Sequence, residues 1–387
     1  MRFSSRFRVQ MTSPITAAQV AARSYRGDKD LIDLSQGAPS HTPPSVITDA
    51  LRQVVTAPEM SGYTFRPGIE ALRTAICANI ETVYGGNIGP SSVIVTAGCN
   101  QAFCMSVSSL CDPGDEVIVI EPYYFNHDMW LRLENILPIY VDSRPTYLPD
   151  VDRIAAAVTP KTRALVLVSP SNPTGVTIDP ELFTALFEFC KSRGIVLIVD
   201  ETYRMFRSNR GRPHDLYLRK DVLEHCIFLL SFSKEYAIPG YRVGALISNE
   251  DCVREVMKMF DCITICAPRI GQEAALLGLR HGAGWLERMA NDLNRRAKRF
   301  RQVMHGDPSG FQLCASGSYF GWVKHPCTGA TDQDVVVQLV EQSGLLVLPG
   351  SIFVQNLYGF LRFSISSADA TQIDELPSRL NEFAMSA

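Results

Sequence analysis

No run of about 18 apolar residues occurs in this chain, so nothing in it reads as a membrane-spanning helix. There is no excess of positive charge either. The 37 Lys and Arg against 40 Asp and Glu leave a net charge of -3, which offers no electrostatic grip on nucleic acid or an anionic membrane surface. The first ten residues carry arginines but lack the apolar core of a signal peptide, and a cytoplasmic protein is expected. That basic, serine-containing start also fits a short organellar presequence, with Met11 as a second start. The 11 cysteines are odd in number and scattered, and Cys262 and Cys266 enclose three residues where zinc and redox pairs enclose two. Reduced thiols and no metal site are the expectation. No G-x-G-x-x-G follows the first buried strand, which argues against a dinucleotide-dependent oxidoreductase. Internal repeats, low-complexity tracts and Gly/Ser-rich linkers are missing as well.

What is present is a chain of 387 residues, 46% hydrophobic, long enough for two domains and able to fold without staples. Between about 90 and 250 a short Val/Ile-rich run, a polar residue and a helical segment alternate, the α/β signature. The runs are Val93–Thr96, Glu116–Ile120, Ile136–Val141, Ala164–Val168, Ile195–Val199, Cys226–Leu230 and Val243–Ile247. They read as strands buried on both faces and mostly parallel. Between them Pro180–Arg193 reads as a helix, opened by proline and acid and stopped by Gly194. Past about 285 the texture changes to a basic amphipathic helix, Leu286–Met304, a helix near Asp332–Gln342, and strand-like pieces at Phe320–Val323, Leu345–Leu348 and Leu361–Ile365. This predicts a smaller α+β domain.

Ligands of open α/β sheets bind beyond the carboxyl ends of the strands. Five strand ends carry suitable groups: Ala97-Gly98-Cys99-Asn100, Glu121-Pro122-Tyr123-Tyr124, Ser169-Pro-Ser-Asn172-Pro-Thr-Gly175, Asp200-Glu-Thr-Tyr203 and Ser231-Phe-Ser-Lys234. The last continues as Glu-Tyr-Ala-Ile-Pro-Gly240-Tyr-Arg242-Val-Gly244. A lysine becomes a nucleophile toward carbonyls when burial or a nearby cation lowers its pKa, and Arg242 is such a cation. Ser231, Ser233 and Arg242 can bind a phosphate, while Gly240 and Gly244 let backbone pass close by. Gly98-Cys99-Asn100 opens an apparent helix whose N–H groups suit an anion. Asp200 ends a buried strand and needs a cationic or hydrogen-bonding partner. Arg362, inside the apolar run Phe360-Leu-Arg-Phe-Ser-Ile365, needs an anion, which is a carboxylate ligand or a structural Asp or Glu.

The segment Ser231–Gly244 resembles the signature around the cofactor lysine of class I/II aminotransferases, the fold-type I pyridoxal-phosphate enzymes, and the resemblance runs from about Leu31 to Ser366. It implies a large domain with a mostly parallel seven-stranded sheet and a smaller α+β C-terminal domain. The divisions would be 1–45 for an N-terminal arm and part of the small domain, 46–284 for the large cofactor domain and 285–387 for the small one. It implies pyridoxal 5'-phosphate as cofactor, bound to Lys234 as a Schiff base. Ser231, Ser233, Arg242 and the Gly98-Cys99-Asn100 turn would hold its phosphate, and Tyr124, or its neighbour Tyr123, would stack on its ring. Asp200 would face the pyridine nitrogen, with Asn172 and Tyr203 on the phenolic oxygen. Arg362, Gly37 in Leu34-Ser-Gln-Gly37-Ala-Pro39, and Asn172 would bind the substrate carboxylate. Tyr63 in Tyr63-Thr-Phe-Arg-Pro-Gly68 would reach the phosphate of a neighbouring subunit, which requires a homodimer.

The implied activity is ping-pong transfer of an amino group between an L-amino acid and a 2-oxo acid. Alternatives are a carbon–sulfur β-lyase or other eliminating enzyme on the same cofactor, or a non-catalytic ligand sensor, for which the chain shows neither an added DNA-binding domain nor a basic patch. Tyr123, His127 and Trp130 are further candidates for lining an aromatic or aliphatic pocket.

Overall fold

A computed structural model describes residues 1–8, 13–209 and 211–383, and Met11 lies outside these. Seven strands form the main sheet: β1 (Val93–Thr96), β2 (Glu116–Glu121), β3 (Leu137–Asp142), β4 (Thr162–Val168), β5 (Val196–Asp200), β6 (Cys226–Ser231) and β7 (Gly244–Ile247). Their order is β1-β7-β6-β5-β4-β2-β3. All pairings are parallel except those of β7, which runs antiparallel to both β1 and β6. Every residue of β1, β6 and β7 is buried, as uninterrupted Val/Ile/Leu runs require when both faces are covered. The reversal of β7 has a consequence for chemistry. Its amino end lies where its neighbours have their carboxyl ends, so residues just before β7 meet those just after β1 and β6.

Helix α1 (Cys99–Leu110) follows β1, and α2 (Phe125–Leu133) follows β2. Helix α3 (Pro180–Arg193) is capped by the Asp179 carboxylate, which accepts from Leu182 N, and ends at Gly194 with φ +65°.

The C-terminal part carries a four-stranded antiparallel sheet of β8 (Gln312–Ser316), β9 (Phe320–Lys324), β10 (Leu348–Pro349) and β11 (Phe360–Ser364), in the order β10-β11-β9-β8. The run Leu345–Leu348 is divided between two pairings. Leu345–Leu346 pairs in parallel with Ile32–Asp33, whereas Leu348–Pro349 joins β11. The first pairing ties the N-terminal segment to the C-terminal part, and Ala18, Ile32 and Leu34 share its core with Trp322, Leu361 and Phe363. A second, larger core lies around the seven-stranded sheet. The long helix Ala283–Val303 spans both: Leu286, Met289 and Leu293 pack in the larger core, Ala297 and Phe300 in the smaller. Among the described residues no helix is long and apolar enough to cross a membrane.

Candidate active site

One cavity gathers residues that lie far apart in the chain. Its lining includes Gly37, Cys99, Asn100, Tyr124, Asn172, Asp200, Tyr203, Ser231, Ser233, Lys234, Arg242 and Arg362. The strand ends explain the convergence. Asp200 and Ser231 are the last residues of β5 and β6, Cys99 and Tyr124 follow β1 and β2, and Arg242 precedes the reversed β7.

Lys234 Nζ donates to Gly37 O at 2.5 Å, linking the turn after β6 to the N-terminal segment. Burial, with Arg242 and Arg362 adding positive field, lowers its pKa to about 8. The lysine is therefore an amine that loses its proton easily.

Arg242 Nη1 donates to Pro239 O at 2.9 Å, and Nη2 to Ala97 O at 3.4 Å. Gly98 is needed beside it on two counts. Its φ is +90°, and a Cβ there would stand 2.3 Å from Arg242 Nη2. Gly244 is needed for contact, since its Cβ would lie 2.9 Å from Cys99 N. Gly240 is different: a Cβ there meets nothing within 4 Å, so the expected close approach of backbone does not occur at that position.

Asp200 is buried and makes several contacts. Thr202 N donates to Oδ1 at 2.9 Å, Cys99 Sγ lies 3.4 Å from Oδ1, and His127 Nε2 lies 3.3 Å from Oδ2. Burial alone would raise its pKa, but His127 and Thr202 outweigh this and hold the carboxyl below its ordinary range. His127 is itself stacked on Phe103 at 3.9 Å and set edge-on to Tyr124 at 5.1 Å.

Arg362, 2% exposed, sits in β11. It donates to Ser35 O and, at 3.3 Å, to Asn172 Oδ1, and its guanidinium lies over Phe320 and Phe353 at 4.7 and 5.4 Å. Burial lowers its pKa to about 10, against the opposing pull of Tyr203, Tyr124 and Asp33. Among the described residues no carboxylate pairs with it, so the structural salt bridge considered from sequence is not formed.

The two tyrosines after β2 face different ways. Tyr124 lines the cavity, whereas Tyr123 is buried in the larger core outside it, where its hydroxyl accepts from Gln355 Nε2 at 2.6 Å. Tyr203 packs against Tyr319 and Phe320 at 4.7 and 5.3 Å, and burial pushes its phenol well above the ordinary value. Trp130 is not part of the lining; its indole donates to Ser108 Oγ at 3.3 Å. Tyr63, 78% exposed, also lies outside this cavity.

Several cavity residues escaped sequence reasoning. Ile15, Gln36, Phe125 and Thr202 also line it, and His127 stands behind Asp200 as its partner, where only a place in the pocket wall was expected. Thr202 is two residues from Asp200 and could have been found by that spacing. Gln36 and Phe125 adjoin the candidates Gly37 and Tyr124, whereas nothing local marks Ile15.

A class I and II aminotransferase family model matches residues 29–380. The chain belongs to that family. Aromatic aminotransferase ISS1 of Arabidopsis thaliana is 30% identical over 368 residues, covering 91% of this chain and 89% of the relative. An aspartate aminotransferase of Pyrococcus horikoshii is 26% identical over 352 residues, covering 90% and 89%. A solved structure of a Thermus thermophilus aspartate aminotransferase single mutant matches with TM-score 0.89 and 25% identity, over 99% of this chain and 100% of that one. These similarities establish the fold-type I architecture with its seven-stranded sheet and an aminotransferase enzyme, and they favour transamination over the β-lyase alternative. The family uses pyridoxal phosphate.

The cavity fits that cofactor. Ser233 Oγ and Arg362 Nε are buried donors with no hydrogen-bond partner among the described residues. Gly98 leaves room beside Arg242 that a side chain would fill, and a buried carboxylate, Asp200, stands on the same wall set as the amine of Lys234.

Proposed function

We propose that this chain transfers the amino group of an L-amino acid to a 2-oxo acid in ping-pong order, with pyridoxal 5'-phosphate in the cavity described above. The observation that carries the reading is Lys234, an amine with pKa near 8, in one cavity with Arg242, Asp200 and Arg362.

Ser231, Ser233, Arg242 and the Gly98-Cys99-Asn100 turn would hold the phosphate, and Tyr124 would stack on the ring. Asp200, kept ionised by His127 and Thr202, would hold a proton on the pyridine nitrogen, while Asn172 and Tyr203 would donate to the phenolic oxygen. When bound, the cofactor supplies the electron sink for charge developing at the substrate α-carbon. Arg362 would orient the substrate through its carboxylate, helped by Asn172 and the backbone at Gly37. Lys234 Nζ would accept the α-proton, a role its lowered pKa suits near neutral pH.

We further propose a cytoplasmic homodimer in which Tyr63 serves the partner's site. Support comes from an exposed apolar patch holding Tyr63, Phe65, Ile263 and Ile265, whose two segments are joined by the Arg66–Asp261 ion pair at 3.2 Å. The domain divisions at 45/46 and 284/285 remain part of this reading.

The test is product analysis with aspartate, aromatic and aliphatic amino acids as donors. The expected outcome is an amino acid formed from the added 2-oxo acid, in equal amount to the donor consumed. Ammonia released without any acceptor, and no amino acid formed, would overturn the reading.

A further inference from the structure

Each of three chemical side chains in the cavity has a charged chain neighbour that turns the other way. Glu201 follows Asp200, Arg204 follows Tyr203 and Glu235 follows Lys234, and none of the three neighbours lines the cavity. All three are about 1% exposed. They meet in one buried network on the far side of the cavity wall. Arg204 Nε donates to Glu235 Oε1 at 2.8 Å, and Nη2 donates to Asn79 Oδ1 at 2.7 Å. Its guanidinium lies 5.9 Å from the ring centre of Tyr84, whose hydroxyl donates to Glu201 Oε1. His214 Nε2 lies 3.2 Å from the same Glu201 oxygen. Tyr217 and Arg207 are further titratable groups whose fields reach this cluster.

Burying such charges is costly, and a well-packed apolar cluster often serves stability equally well. What ions offer instead is direction: a forked guanidinium donor adds geometric specificity to the bonds it makes. Here the Arg204–Glu235 pair joins the turn after β5 to the turn after β6, and among the described residues no other ion pair does so. We propose that Arg204 is a positioning residue: by holding Glu235, and through Tyr84 Glu201, it fixes Lys234 in place relative to Asp200 and Tyr203. This rests on the aminotransferase reading for its purpose, but the geometry it claims belongs to the apoprotein and can be tested there.

The experiment compares wild type with the apolar double variant Arg204→Met/Glu235→Leu and with the single variants Glu235→Gln and Arg204→Lys. The pair is neutral as a whole, so removing both charges changes the field at Lys234 little. A shifted Lys234 titration then reports displacement. In the apoprotein, the rate of Lys234 acylation against pH, followed by mass spectrometry, gives that titration, with a wild-type midpoint near 8 expected. In the loaded enzyme, kcat and KM are measured for one amino acid.

The proposal expects the double variant to fold, to move the acylation midpoint by at least several tenths of a pH unit, and to lose roughly tenfold in kcat with KM little changed, since small misplacements of a reacting group cost at least that much. Arg204→Lys should recover part of the loss. If the double variant fails to fold, Glu235→Gln, which keeps an acceptor oxygen and drops the charge, carries the kcat and KM readout in smaller degree, while its midpoint is set aside because the lost charge also changes the field at Lys234. A folded variant with wild-type kcat and an unmoved midpoint would overturn the proposal and leave the network a stabilising element only. Failure of the aminotransferase reading is seen separately, as wild-type protein that makes no amino acid product while the apoprotein midpoints still respond to the substitutions.

Discussion

Lys234 illustrates how much one residue can state about itself. Its hydroxyl neighbours and Arg242 are local in sequence, so the motif was legible, and the structure adds the two cations and the burial that lower its pKa to about 8. The sign of the resulting stability effect follows. Between about 8 and the ordinary value of 10.5 the unfolded chain keeps a proton that the folded chain has shed, so Lys234 contributes stability that grows as pH rises through that window. Below pH 8 both states are protonated, and the folded one carries a buried charge it would rather lose. Urea unfolding of the apoprotein at several pH values should therefore show that Lys234→Met raises stability most below pH 8, with the advantage fading toward pH 10.5. An advantage independent of pH would contradict the assigned cause. Arg362 was likewise legible, as an arginine in an apolar strand. His127 was not, because its role depends on stacking against Phe103 and on reaching Asp200, contacts made by elements distant in the chain.

At the scale of elements, the strands of the main sheet were read within about two residues at each end, because apolar runs buried on both faces leave a strong pattern. The edge strand β8, Gln312–Ser316, went unseen: its sequence is only partly buried and carries little apolar signal. The apolar run Leu345–Leu348 predicts one strand, because nothing in it signals that its two halves pair with different partners. The junction of β1 with α1 is where element geometry becomes site geometry. Gly98 turns the chain with φ +90° and stands against Arg242. Gly98→Ala should cost about 1–3 kcal/mol in stability from the backbone conformation alone. It should also weaken cofactor binding well beyond any loss in folding, because Arg242 must move. Thermal unfolding and cofactor titration of the same variant separate the two effects.

The whole molecule places its site between two cores, with Asp200, Lys234 and Arg242 contributed by the seven-stranded sheet and Gly37 and Arg362 by the segments around β11. The fold class was legible because alternating β and α signals recur over so much of the chain, whereas the pairing of Ile32–Asp33 with Leu345–Leu346 joins positions no local pattern could connect. Tyr63 makes the assembly testable. If the site is shared as proposed, the Lys234→Ala and Tyr63→Ala variants should each be impaired, and mixing them under conditions of subunit exchange should restore activity, because one site of each hybrid would then hold both residues. No recovery despite demonstrated exchange would rule out the shared site. The central claim, a cofactor bonded to Lys234 and serving transamination, is most directly tested by the visible absorption spectrum of the cofactor-loaded protein, wild type against Lys234→Ala, before and after adding amino acids without acceptor. The account predicts a lysine-dependent band in the wild type that is lost on adding a donor amino acid and returns with a 2-oxo acid. A wild-type spectrum without such a band, or one unchanged by Lys234→Ala, would contradict it.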